Sequence, residues 1–91
     1  MNQPLKNWYI YIVRCADNSL YTGIALDVER RLAEHNGKDA AKYTRSRQPV
    51  ELVYTEEVDS RSEAASREFA IKKLSKKQKE HLILNYVLSS D

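Results

Sequence analysis

The segment Trp8-Tyr9-Ile10-Tyr11-Ile12-Val13-Arg14 constrains this chain more than any other. Nearly every residue in it is β-branched or aromatic, with little polar alternation, so it reads as a central strand of a sheet. Ala16-Asp17-Asn18-Ser19 supplies turn residues, and Leu20 to Ile24 forms a second short strand, giving a hairpin. Asp27 is a good N-cap for a helix running to about Asn36, and Asn36-Gly37 ends it. Residues 38–49 are polar and basic and read as loop or one irregular turn, with Pro49 blocking helix propagation. Val50 to Glu56 is a third strand. Ser60-Arg61-Ser62-Glu63 and Ser75-Lys76-Lys77-Gln78 are capping boxes that open helices to about Leu74 and about Leu88. The order ββαβαα predicts an α+β fold, a small three-stranded antiparallel sheet flanked by helices.

A chain of 91 residues is one domain's worth, expected to span 1–91 with its core at about 7–88. The longest apolar stretches, such as Leu82-Ile83-Leu84, are far below membrane-spanning length. No basic-then-apolar leader opens the chain, so no secretory signal is expected. Cys15 is the single cysteine, which excludes an internal disulfide and a Cys-rich zinc site and fits a reducing cytoplasm. The net charge of +2 says little about partners. Its distribution says more. Between Arg30 and Arg47 stand Arg30, Arg31, Lys38, Lys42, Arg45 and Arg47 against only Glu34 and Asp39. This segment is the best candidate for contacting an anion.

Several residues look chemical. Glu68 falls within the apolar arc of its helix, in step with Ala64 and Ile71. A carboxylate there needs an ion pair, with Arg31 for instance, or a metal, or a proton to hold. Arg31 and His35, four apart, share one face of the first helix beside the stripe of Val28 and Leu32. They read either as a snorkelling arginine with a partly buried histidine, or as a phosphate clamp with a proton carrier. There are six tyrosines against one Phe and one Trp. Tyr9, Tyr11 and Tyr21 on strands fit core residues with hydroxyls at the rim. Gly23 marks a bulge or a place where a ligand approaches the backbone.

Tyr9-Ile10-Tyr11, then Tyr21-Thr22-Gly23, then Arg31 eight residues on, resembles the GIY-YIG nuclease family. The spacing of ten from Tyr11 to Tyr21 fits, as do His35 one turn after Arg31 and Glu68 on the following helix. The resemblance covers nearly the whole chain and is strongest to small stand-alone, YhbQ-like (UPF0213) members, which Lys42-Tyr43-Thr44-Arg45 also resembles. Tyr9 stands for the motif's glycine, Thr22 for its second isoleucine, and Ile24 where some members carry lysine. Asn85 is the only counterpart for a late asparagine of several members.

The resemblance implies hydrolysis of DNA phosphodiesters with one divalent ion, Mg²⁺ or Mn²⁺, bound by Glu68. Arg31 would clamp the phosphate, Tyr11 would be the general base, and Tyr21 would orient water or phosphate. His35 would accept a proton or fix Tyr11. Lys42, Arg45, Arg47 and Lys72 would contact DNA, or RNA as the alternative substrate, with no membrane and no small-molecule cofactor involved. A catalytically silent nucleic-acid-binding module and a protein-interaction domain remain the alternatives. Strand parity adds a requirement. Tyr11 and Tyr21 share a face if the hairpin loop has odd length, for example Asp17-Asn18-Ser19 with Cys15 opposite Tyr21, or if a bulge has the same effect. That face should meet Arg31, His35 and Glu68, and Asn18 or Ser19 must take a positive φ, which Asn tolerates best.

Overall fold

The computed structural model describes residues 7–89. Strand β1, Trp8–Arg14, lies between β2, Leu20–Ala25, and β3, Glu51–Val58. Both pairings are antiparallel. The helices are α1, Val28–His35, α2, Lys42–Arg45, α3, Arg61–Lys72, and α4, Lys76–Ser89. The architecture is the expected α+β one, with a single turn of helix, α2, inside the segment expected to be loop or one irregular turn.

The near-continuous apolar character of β1 follows from burial on both faces. Ile10 and Ile12 pack with Ala64 and Ile71 of α3, Ile83 of α4 and Tyr54 of β3. Tyr11, Val13 and Cys15 point the other way, packing with Val50 and with Val28 and Leu32 of α1. The sheet thus separates two helical layers, α3 and α4 on one side and α1 with α2 on the other.

The hairpin loop is odd in length but sits one residue earlier than Asp17-Asn18-Ser19. Cys15 N–H donates to the Ser19 carbonyl at 2.8 Å, which leaves Ala16, Asp17 and Asn18 as the loop. Asn18 takes the positive φ, 70°. The Asp17 carboxylate accepts from the Ser19 N–H at 3.0 Å and holds Ser19 in the ladder rather than in the loop. Val13, not Cys15, therefore stands opposite Tyr21, and Tyr11 stands opposite Gly23. Parity is unchanged by this shift, so Tyr11 and Tyr21 share the α1 face.

The caps form as the sequence suggests. Asp27 accepts from Arg30 N–H at 3.0 Å, and Ser60 from Glu63 N–H at 3.1 Å. Ser75 and Gln78 bond reciprocally at 2.9 and 3.1 Å. α4 is tied to the end of β1 by a two-pronged Arg14–Glu80 ion pair at 2.7 and 2.8 Å, which pulls the Glu80 carboxyl down to about 2. The buried side of α3 is narrower than its composition suggests. Ala64 and Ile71 are buried, but Ala65 is exposed and Phe69 is 64 % exposed. No described helix is long and apolar enough to cross a membrane.

Thr22 is buried on β2, opposite Ile12, and its hydroxyl has no hydrogen-bond partner among the described residues. A buried, unpaired hydroxyl is destabilising. Thr22→Val keeps the shape and removes the polar atom, so it should raise stability by roughly 1 kcal/mol. Urea unfolding measures this, and a Thr22→Val protein no more stable than wild type would show that the hydroxyl has a partner.

Candidate active site

The site grows from the α1 face of β1. Tyr11 is 2 % exposed, and its ring lies across β2 over its register partner, Gly23. A Cβ at position 23 would stand 2.5 Å from the Tyr11 hydroxyl and 2.6 Å from Cζ. The glycine therefore makes room for a tyrosine of the protein itself, not for a bulge or a ligand. The phenol ends 2.8 Å from Nε2 of His35.

His35 is the last residue of α1 and is fully buried. It is buried because the end of α1 is clasped to the strand that follows. Asn36 accepts from Val50 N–H at 2.7 Å and donates to its carbonyl at 3.0 Å, while Gln48 donates to the His35 carbonyl at 2.8 Å. On the imidazole's far side, Nδ1 lies 2.8 Å from the hydroxyl of Thr44, which is itself buried on α2. Tyr21 packs edge-on against the same ring, with centroids 5.2 Å apart, and stacks on Tyr43 of α2 at 5.7 Å. Burial, then the Arg31 charge, holds His35 below the ordinary histidine range.

Arg31 stands one turn before His35. It bonds Glu34 at 2.9 Å, and its charge acts on the Tyr11 phenol. Tyr11 is pushed up to about 12, first by burial and then by Tyr21, with Glu68 adding in the same direction and Arg31 opposing. Glu68, on α3, acts on this phenol electrostatically, although Ala64 and Ile71 of the same helix pack on the opposite face of the sheet. It is half-buried and pairs with Lys72 at 3.2 Å, not with Arg31. Asn85 is exposed on α4, in that same far layer.

Among the expected cations, Lys42 and Arg45 are exposed on α2, and Lys72 is half-exposed beside Glu68. Arg47 is engaged within the fold. It bonds Asp17 at 3.0 Å and the Tyr43 carbonyl at 2.8 Å, with its guanidinium 4.0 Å from the Tyr43 ring centre. Thr44 and Tyr43 are the members of the cluster to which sequence reasoning assigned no role, although Lys42-Tyr43-Thr44-Arg45 formed part of the resemblance. The signal for them was faint: a Tyr-Thr pair inside a polar segment.

The pattern of the GIY-YIG catalytic domain matches residues 7–81, a stretch that includes Tyr11, Tyr21, Arg31, His35 and Glu68. The chain belongs to that family. It is similar to a UPF0213 protein of Natronomonas pharaonis, 56% identical over 75 residues, covering 82% of this chain and 88% of the relative. It is similar also to one of Staphylococcus saprophyticus, 55% identical over 75 residues, covering 82% and 92%. A solution structure of an E. faecalis protein superposes with a TM-score of 0.63 at 43% identity, covering 94% of this chain and 92% of that one. A Bacillus halodurans UPF0213 structure gives 0.55 at 45%, covering 85% and 82%.

The depressed basicity of His35 has a sign that can be checked. The unfolded chain takes up this proton near pH 6.5, before the folded one does. Stability from neutral His35 is thus fully present above that pH and is lost as pH falls through the lower folded-state value. NMR titration of the His35 ring should give a midpoint below 6.5. A midpoint at or above that value would mean that the ring is not desolvated.

Proposed function

We propose that this chain is a metal-dependent endonuclease that hydrolyses DNA phosphodiester bonds. The single observation that carries the reading is the buried Tyr11–His35 hydrogen bond, with Arg31 and the field of Glu68 on the same phenol. Core packing gives no reason to converge two ionisable groups, a cation and a carboxylate in a thin core. Phosphodiester hydrolysis gives one: it needs an activated water, charge neutralisation at the phosphate, and help for the leaving oxygen.

Arg31 clamps the phosphate with a guanidinium fork that matches two of its oxygens. Tyr11 takes the proton of the attacking water while its own passes to His35, so that no free tyrosinate need accumulate. Such concerted transfer is required because the buried phenol ionises only at about 12. Tyr21 packs the imidazole from the side and orients water or phosphate. In the overall change the water oxygen bonds phosphorus, the bond from phosphorus to the leaving oxygen breaks, and that oxygen gains a proton.

Among the described residues, no three Asp, Glu, His or Cys side chains converge to cage a metal. Glu68 offers a hard oxygen donor whose field reaches the phenol, and a single carboxylate would suit Mg²⁺ or Mn²⁺, ions that keep several of their waters. A divalent ion there would supply Lewis-acid stabilisation of the phosphate and leaving oxygen, and would offset the Glu68 charge that opposes ionisation of Tyr11.

A plasmid-nicking assay with Mg²⁺ and with Mn²⁺ tests the reading. Wild type should relax supercoiled DNA, and Glu68→Gln should be slower by about 100-fold or more while keeping its fold. Metal-dependent cleavage that survives Glu68→Gln in a pure sample would remove Glu68 from the chemistry. Salt-sensitive binding without cleavage by wild type would favour the silent binding module, and no binding at low salt a protein-interaction domain.

Lys42 and Arg45 are exposed on the helix that abuts the tyrosine cluster, and they are the cations proposed to meet the backbone. Lys42→Glu with Arg45→Glu should weaken DNA binding and flatten the log affinity against log salt slope by about 2. An unchanged slope would make α2 only a solvated surface.

A further inference from the structure

We infer that Thr44 is a positioning residue: it fixes His35 in the tautomer with its proton on Nδ1, so that Nε2 is the acceptor for the Tyr11 proton. The mechanistic half of this inference rests on the nuclease reading above; the tautomer does not.

The argument is a count of hydrogens along one chain of bonds. Thr44 has a single hydroxyl hydrogen, and two neighbours lie within reach of its oxygen. One is the Ala41 carbonyl at 3.2 Å, which can only accept. The other is Nδ1 of His35 at 2.8 Å. A threonine in a helical turn habitually returns its hydrogen to a carbonyl three or four residues back, and Ala41 is three back. With the hydrogen there, the oxygen can only accept, so Nδ1 carries the ring proton. In a neutral imidazole the other nitrogen is then bare.

The far end of the chain leads to the same assignment independently. The Arg31 charge acts on the Tyr11 phenol, and a cation favours a lone pair over the hydrogen on its side, so the hydrogen needs an acceptor elsewhere. His35 Nε2, at 2.8 Å, is that acceptor. If Nε2 were protonated instead, its N–H would point at the phenol oxygen and the tyrosine hydrogen would lose the one acceptor that lies within reach among the described residues. Hydrogens therefore run in one direction, from Tyr11 to His35, from His35 to Thr44, and from Thr44 to Ala41. A neutral ring in this tautomer is ready to receive a proton at the nitrogen that faces Tyr11. The opposite tautomer would present an N–H to the phenol and could not receive it there.

The surroundings of Thr44 suit this role. It is fully buried on a four-residue helix, and that helix is fastened from outside by the Tyr21–Tyr43 stack and by Arg47.

The test is a long-range proton–nitrogen NMR correlation of the His35 ring in ¹⁵N-labelled protein, above its titration range. Wild type should show Nδ1 in the protonated region and Nε2 in the unprotonated region. Thr44→Ser should keep that pattern. Thr44→Val removes the acceptor at nearly constant shape, and should give a tautomer mixture or the reverse form. Should Thr44→Val not fold, Thr44→Ala takes its place. A wild-type spectrum with the proton on Nε2 overturns the inference, and so does an unchanged spectrum in the folded Val or Ala variant.

Single-turnover nicking supplies the second readout. Thr44→Val should lower the cleavage rate by about 10- to 100-fold at unchanged DNA affinity, with Thr44→Ser close to wild type. Equal losses in the Ser and Val variants would overturn positioning by the hydroxyl. If wild type itself does not cleave, the nuclease reading fails, while the ring spectrum still decides the tautomer.

Discussion

The hydrogen bond between the Tyr11 phenol and the His35 imidazole is the constraint from which the rest of the structure follows. It joins a central strand to the end of a helix 24 residues later, inside a core with no solvent to substitute for a missing partner. To make it, the Tyr11 ring must cross its neighbouring strand, which only a glycine at position 23 permits. To bring Tyr21 to the same ring, the hairpin must turn through an odd number of loop residues, which Asn18 allows by taking a left-handed conformation. To seat the imidazole, the end of α1 must be held, which Asn36 and Gln48 do by bonding the backbone around it.

The electrostatics are arranged around the same phenol. Burial, Tyr21 and Glu68 all oppose its ionisation, and Arg31 alone favours it. Resting Tyr11 is therefore neutral, and the neighbouring imidazole is neutral too. This balance stands close to an uncharged state on both groups, yet it sits between a guanidinium and a carboxylate. A small change in charge nearby, such as an arriving phosphate on Arg31 or a cation on Glu68, shifts the balance in a definite direction.

Much of this was legible in the sequence, because the strongest signals are local. An unbroken run of β-branched and aromatic residues identifies a central strand, and Asp27, Ser60 and Ser75 announce helix starts through bonds only three residues long. The order of Tyr11, Tyr21, Arg31, His35 and Glu68 carried the family. What escaped was set by tertiary contacts. Thr44 has no local pattern that marks it as a partner of His35, since their bond depends on how a polar loop folds back. Ala65 and Phe69 are apolar neighbours of the buried stripe of α3 but are exposed, since it is Ala64 and Ile71 that pack in the core. Glu68 pairs along its own helix with Lys72, because Arg31 is already engaged by Glu34. The hairpin loop slid by one residue because Asp17 reaches forward to Ser19.

The fastening of residues 42–47 has a consequence for association. Arg47 anchors this segment through its side chain on Asp17 and Tyr43, and through its carbonyl, which accepts from Ala16 N–H at 2.9 Å. Lys42 and Arg45 therefore project from a segment whose backbone is already ordered before any polyanion arrives. A flexible basic arm loses backbone freedom when it binds and must recover that loss from its contacts. Here that entropy is spent during folding. The conformational adjustment on encounter falls instead on the two lysine and arginine side chains and on the strand they meet.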